Sequence, residues 1–197
     1  MIKLKSLIRE NRPIVPNDIR YYWNFMANAL SGRMRHADNL YHQYQESIDL
    51  MAKELRKRYG PNISSPVYRG ILLDDHEVHN GVVSGDFGVT FVSFTEDKDI
   101  AIGFADTEND MSSFVVALHP TKKGYLITKP NYDFDLLLFH YSWLDKANMR
   151  PVWRQIFGDD ADIVDKQKEV TLKPERKYEV VPVPPGASGG AKVGSDL

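Results

Sequence analysis

Three short segments of the 197-residue chain carry side chains that can do chemistry: Val67-Tyr68-Arg69-Gly70, Val92-Ser93-Phe94-Thr95 and Gln167-Lys168-Glu169-Val170. Arg69 offers a planar fork that pairs with phosphate oxygens and does not lose its charge. Glu169 offers a carboxylate that can stabilise developing positive charge and hold hydroxyl groups. The hydroxyl of Ser93 can fix a carboxylate rotamer from a rigid strand, a task of positioning rather than attack. Gln167 can orient a reacting partner by donating and accepting hydrogen bonds, but a neutral amide does not balance a cationic charge. Each residue also has an ordinary reading. Arg69 can pair with any acid, Ser93 or Thr95 can cap a following helix, and Glu169 can face solvent from a strand. Segments this short arise by chance, so their order along the chain carries the signal.

In that order the segments resemble the R-S-E signature of mono-ADP-ribosyltransferases of the toxin type, including bacterial exoenzymes and the small transferases of T4-like bacteriophages. The resemblance spans residues 67–183, with 129–165 the least familiar stretch. It implies that NAD is consumed as a substrate, with no metal, in an ADP-ribosyltransferase-like α+β fold. That fold would have two packed, mostly antiparallel sheets with N-terminal helices walling the NAD cleft. Arg69, Gly70, Ser93, Phe94, Thr95 and Phe104 would then bind NAD, with Phe104 near the nicotinamide or else packed in the core. Ser93, Gln167 and Glu169 would form the catalytic set. The sequence departs from the arginine-modifying members in having Gln167 where they carry glutamate. The expected acceptor is therefore a macromolecule, a protein side chain other than arginine before a nucleic-acid base. The alternatives are an inactive member of the fold that binds a partner, and an NAD-dependent RNA 2′-phosphotransferase, whose extra basic and histidine residues cannot be placed here.

Elements must position these groups. Asn17 or Asp18 can cap a first helix bearing Ile19, Tyr22, Met26 and Leu30 on one face and stopped by Gly32. Leu40, Tyr44, Ile48, Met51 and Leu55 continue at helical spacing to Tyr59-Gly60. Glu96, Asp97 and Asp99 crowd the start of a third helix reaching Phe104, capped by Thr95 or Ser93. Strands are predicted over 113–118, 124–128, 167–172 and 177–183, with a turn at Lys173-Pro174-Glu175-Arg176 joining the last two as a closing hairpin. The segment 150–157, with Trp153, reads as helix or core.

Composition sets outer bounds. With 42% hydrophobic residues the chain reads as one domain over 1–184, a helical lobe at 1–60 and a strand core at 61–184, followed by a Gly-rich flexible tail at 185–197. No apolar run reaches membrane-spanning length, and the basic, apolar start at Met1 makes a poor signal peptide, so a monomer in the cytoplasm of a host or target cell is expected. The absence of cysteine excludes disulfides, thiolate metal ligands and a Cys nucleophile. Residues 1–60 carry eleven Lys and Arg against six Asp and Glu, whereas the rest carry fourteen against twenty-one. Arg33, Arg35, Lys53, Arg56, Lys57 and Arg58 could meet an acidic protein or a nucleic-acid backbone, although charged helix ends are usually just solvated. No G-x-G-x-x-G or P-loop is present, and His76-Glu77-Val78-His79 lacks the helical spacing of a zinc site and reads as an exposed loop.

Overall fold

A computed structural model describes residues 14–60, 66–85, 87, 89–108, 114–115 and 117–187. Among the described residues two helices come first, α1 (Pro16–Leu30) and α2 (Met34–Tyr59). Asp18 does act at the start of α1, but from inside the first turn: its carboxylate accepts the Val15 N–H at 2.9 Å. The apolar stripe of α2 is interrupted at Tyr44, whose backbone leaves helical geometry (φ −123°, ψ 26°) where its ring stacks on Tyr21 at 3.7 Å. Of the basic α2 side chains, Arg56 is not a free surface charge, since its guanidinium donates to the Leu137 carbonyl.

The strands are β1 (Val67–Asp74), β2 (Val78–His79), β3 (Val82–Ser84), β4 (Val92–Thr95), β5 (Lys122–Lys129), β6 (Leu137–His140), β7 (Glu169–Leu172) and β8 (Lys177–Pro182). Their order is β2-β3-β8-β5-β1-β4-β7-β6, with every pairing antiparallel. The helices α3 (Lys98–Ala105), α4 (Trp143–Lys146), α5 (Arg150–Phe157) and α6 (Ile163–Lys166) fill the connections.

Four expectations need correction. The strands form one continuous hydrogen-bonded sheet rather than two. The predicted hairpin is absent: β7 lies between β4 and β6, and β8 lies between β3 and β5. A flat sheet would separate β7 from β8 by four strand spacings, about 19 Å, roughly the full reach of the short connection between them. The sheet therefore curls. Tyr178 of β8 consequently meets Phe94 of β4 at 6.1 Å between ring centroids, although β5 and β1 lie between their strands. Third, the described residues of 113–118, which leave out Ser113 and Val116, do not form a strand. Phe114, Val115, Ala117 and Leu118 are helical, with the His119 N–H donating to the Val115 carbonyl at 2.9 Å and Phe114 68% exposed. Last, His76-Glu77-Val78-His79 is no irregular loop. It forms a short 3₁₀ turn running into β2.

The core sits between the helical layer and the sheet. Tyr22 of α1 donates its hydroxyl to the Leu138 carbonyl at 2.8 Å, Trp23 meets Trp153 edge-on, and Trp153 stacks on Phe139. Trp153 is thus a core residue, as expected. Of the expected tail, 188–197 lie outside the described residues, but the stretch before them is tied down: the Gly186 N–H donates to the Asp106 carboxylate at 3.1 Å.

Candidate functional site

Glu169 opens β7, paired in register with Thr95 of β4, which in turn pairs with Tyr68 of β1. The three segments singled out in the sequence therefore meet on three adjacent strands. Arg69, Gly70, Ser93, Phe94, Thr95, Phe104, Gln167 and Glu169 all line one cavity of about 340 Å³. Its other walls come from the end of α1, where Ala29, Leu30 and Gly32 lie, and from Ile163 and Val164 of α6.

Glu169 is only 7% exposed. Ser93 and Thr171 donate hydrogen bonds to its carboxylate, the latter at 3.3 Å. Burial nevertheless pushes its pKa up to about 7, against the opposing pull of those hydroxyls and of the Arg69 charge. Arg69 does not form a direct pair with it. Its Nη1 donates to the Ser93 carbonyl at 2.9 Å, while its buried Nε has no protein partner. Burial lowers the Arg69 pKa, but a guanidinium stays charged, so part of a rigid donor fork faces a pocket that also holds a carboxylate.

Gly70 has a packing duty. A Cβ there would lie 1.8 Å from the Ala101 carbonyl oxygen, and one on Gly124 would lie 2.0 Å from that of Ala105. The two glycines let α3 settle directly on β1 and β5, which brings Phe104 to the cavity wall. Asp97 rather than Thr95 or Ser93 caps α3, accepting the Asp99 N–H at 3.1 Å. Thr95 instead accepts the Asp97 N–H at 2.9 Å, and Ser93 is engaged with Glu169. Phe94 reaches the cavity wall but is buried against Tyr178. Phe104 is 49% exposed, which removes the core-packing alternative for that ring.

Gln167 was expected on the strand with Glu169. It instead ends α6, its N–H donating to the Ile163 carbonyl at 2.8 Å, and Lys168 turns the chain into β7 with φ at +45°.

A second polar cluster lies beside this turn and has no counterpart in the sequence reading. The Glu96 carboxylate receives Nε2 of His140 at 3.2 Å and the Tyr141 hydroxyl at 3.2 Å. The other His140 nitrogen, Nδ1, accepts the Ser142 N–H at 3.2 Å and faces the Ser142 hydroxyl at 2.8 Å. His140 chiefly, through its hydrogen bond, holds the Glu96 carboxyl below its usual range despite partial burial. In the sequence Glu96 reads only as a helix-start acid. Its histidine partner is 44 residues away, so no local pattern announces the pair.

Among the described residues no group of three or more His, Cys, Asp or Glu is arranged to hold a metal, and no helix is long and apolar enough to cross a membrane. Comparison with protein-family models, curated proteins and solved structures yielded no match.

Proposed function

We propose that the chain is an NAD-dependent mono-ADP-ribosyltransferase. The observation that carries this reading is the convergence of Arg69, Ser93, Gln167 and Glu169 on one cavity, with the carboxylate buried and hydrogen-bonded to Ser93. In the reaction the bond between the nicotinamide nitrogen and the ribose carbon breaks, and nicotinamide leaves neutral with the electron pair. The ribosyl centre becomes oxocarbenium-like, the acceptor nucleophile attacks it, and the acceptor's proton is released. Glu169 in its charged form stabilises the cationic centre from a water-poor site, where that interaction is strongest. Ser93 and Thr171 hold the rotamer. Arg69 offers its free donors to a phosphate of NAD, and Phe104 gives an aromatic face for the cationic nicotinamide ring.

Gln167, at the rim beside Glu169, would orient a neutral acceptor, and a non-arginine protein side chain is the acceptor we favour. An ADP-ribosyltransferase-like architecture is part of the same reading. Incubation with adenylate-labelled NAD and a cell lysate, followed by protease or nuclease, tests it. Label lost to protease supports the reading, label lost only to nuclease replaces the acceptor class, and no label with no nicotinamide release overturns the assignment.

A further inference from the structure

We propose that Glu96 and His140 are positioning residues that hold the turn at Lys168 in its left-handed form and thereby set the aim of Gln167 and Glu169. The inference rests on the transferase reading of that site. His140 pairs in register with Val170, so it occupies the face of the sheet opposite Glu169 and acts through the backbone rather than on a substrate.

Lys168 sits where helices commonly end in glycine, at a φ of +45° that an L side chain adopts against steric resistance. Two backbone donors grip the two successive carbonyls that lead out of the bend. The Glu96 N–H reaches the Lys168 oxygen at 3.3 Å, and the Tyr141 N–H reaches the Glu169 oxygen at 3.0 Å. The residues supplying these donors are tied to each other, because the Tyr141 hydroxyl donates to the Glu96 carboxylate. His140 completes the clamp. Its Nδ1 is committed as an acceptor to the Ser142 N–H, a pattern that assigns the proton to Nε2, which donates it to Glu96. A salt bridge from Lys168 Nζ to Asp97 at 3.1 Å adds a weaker, exposed restraint.

The test uses the full chain and the variants His140→Ala, His140→Gln and His140→Ala with Lys168→Gly. Amide exchange without NAD is read at Gln167 and Lys168, beside steady-state nicotinamide release. His140→Ala should speed exchange at both amides about tenfold and lower kcat about tenfold with KM for NAD little changed, the signature of misaimed catalytic groups. His140→Gln, which keeps an N–H donor toward Glu96, should recover most of both. The decisive variant is the double one, since glycine holds a positive φ unaided and should restore exchange protection and kcat together. Unchanged exchange in His140→Ala, or a loss that Lys168→Gly fails to rescue, overturns the proposal. Should His140→Ala not fold, Tyr141→Phe removes only the hydroxyl contact to Glu96. Faster exchange rescued by Lys168→Gly supports the clamp there, and unaltered exchange overturns it. A wild-type chain that neither releases nicotinamide nor labels an acceptor defeats the transferase reading alone, because the exchange measurement needs no activity.

Discussion

At the scale of single residues, burial of Glu169 opposes folding and serves chemistry. Its pKa of about 7 in the folded chain stands above the ordinary value of 4.5, so between those limits the folded state binds more protons than the unfolded one. Stability is therefore favoured below pH 4.5 and falls as pH rises through about 7, by about 3 kcal/mol for a shift of that size. Glu169→Gln should raise the melting temperature at pH 8 and have much less effect at pH 4.5, measured by calorimetry. The same variant should lose about 10²–10³ in kcat, since it keeps the shape and removes the charge. Wild-type kcat/KM for NAD should climb with pH to a plateau above about 7, because only the carboxylate form is competent. Arg69→Ala should instead weaken NAD binding about tenfold or more by titration calorimetry, its partner being a phosphate already present in the ground state. Gln167→Ala should depress transfer to macromolecules while sparing slow NAD hydrolysis, since water requires no positioning by that amide.

At the scale of elements, the site depends on α3 lying flat against β1 and β5. Gly70→Ala places a methyl inside the Ala101 carbonyl, and no flexible side chain is available to yield. Destabilisation of about 3 kcal/mol or more in urea titration is expected, with a matching loss at Gly124→Ala. The sequence marked Gly70 as part of a binding motif, and its neighbour relations explain why glycine is needed even without a ligand. The other positioning element, α6, is held from outside by Arg150. That side chain bridges Asp145 at 2.7 Å and also Asp165 within α6, fastening the segment that carries Gln167. Helix stops and the approximate α3 start were legible because glycine stops and charge bias are local, although the cap itself is Asp97 rather than Thr95 or Ser93. The placement of 113–118 was not, since a short apolar run becomes a strand only where a partner edge is free to receive it.

At the scale of the whole molecule, the curl of the sheet closes the core. Tyr178 on β8 packs against Phe87 and Phe94, and its hydroxyl accepts the Glu175 N–H at 2.9 Å. Tyr178→Ala should cost about 3–5 kcal/mol, as large core truncations do. Phe104→Ala, although it lines the same cavity, should change stability by less than about 1 kcal/mol because its ring is half exposed. Denaturant titration of the two variants side by side separates the residues that close the fold from those that only meet a ligand.

The sequence by itself determined the parts whose causes are local. Apolar stripes at helical spacing placed α1 and α2, a short apolar run and a proline turn placed much of β5 and β8, and the order of three short segments singled out Arg69, Ser93, Gln167 and Glu169 as candidates. It did not determine which strands pair, because a strand's hydrogen-bonding edges are alike and partner choice follows from faces buried across the whole sheet. Only the tertiary structure put β7 between β4 and β6, and so set Glu169 beside Ser93 on one face and His140 behind it on the other. Only there, too, did Glu169 acquire its raised pKa and Lys168 its left-handed turn. Both arise from desolvation and from contacts between distant segments, which residue order alone does not encode locally.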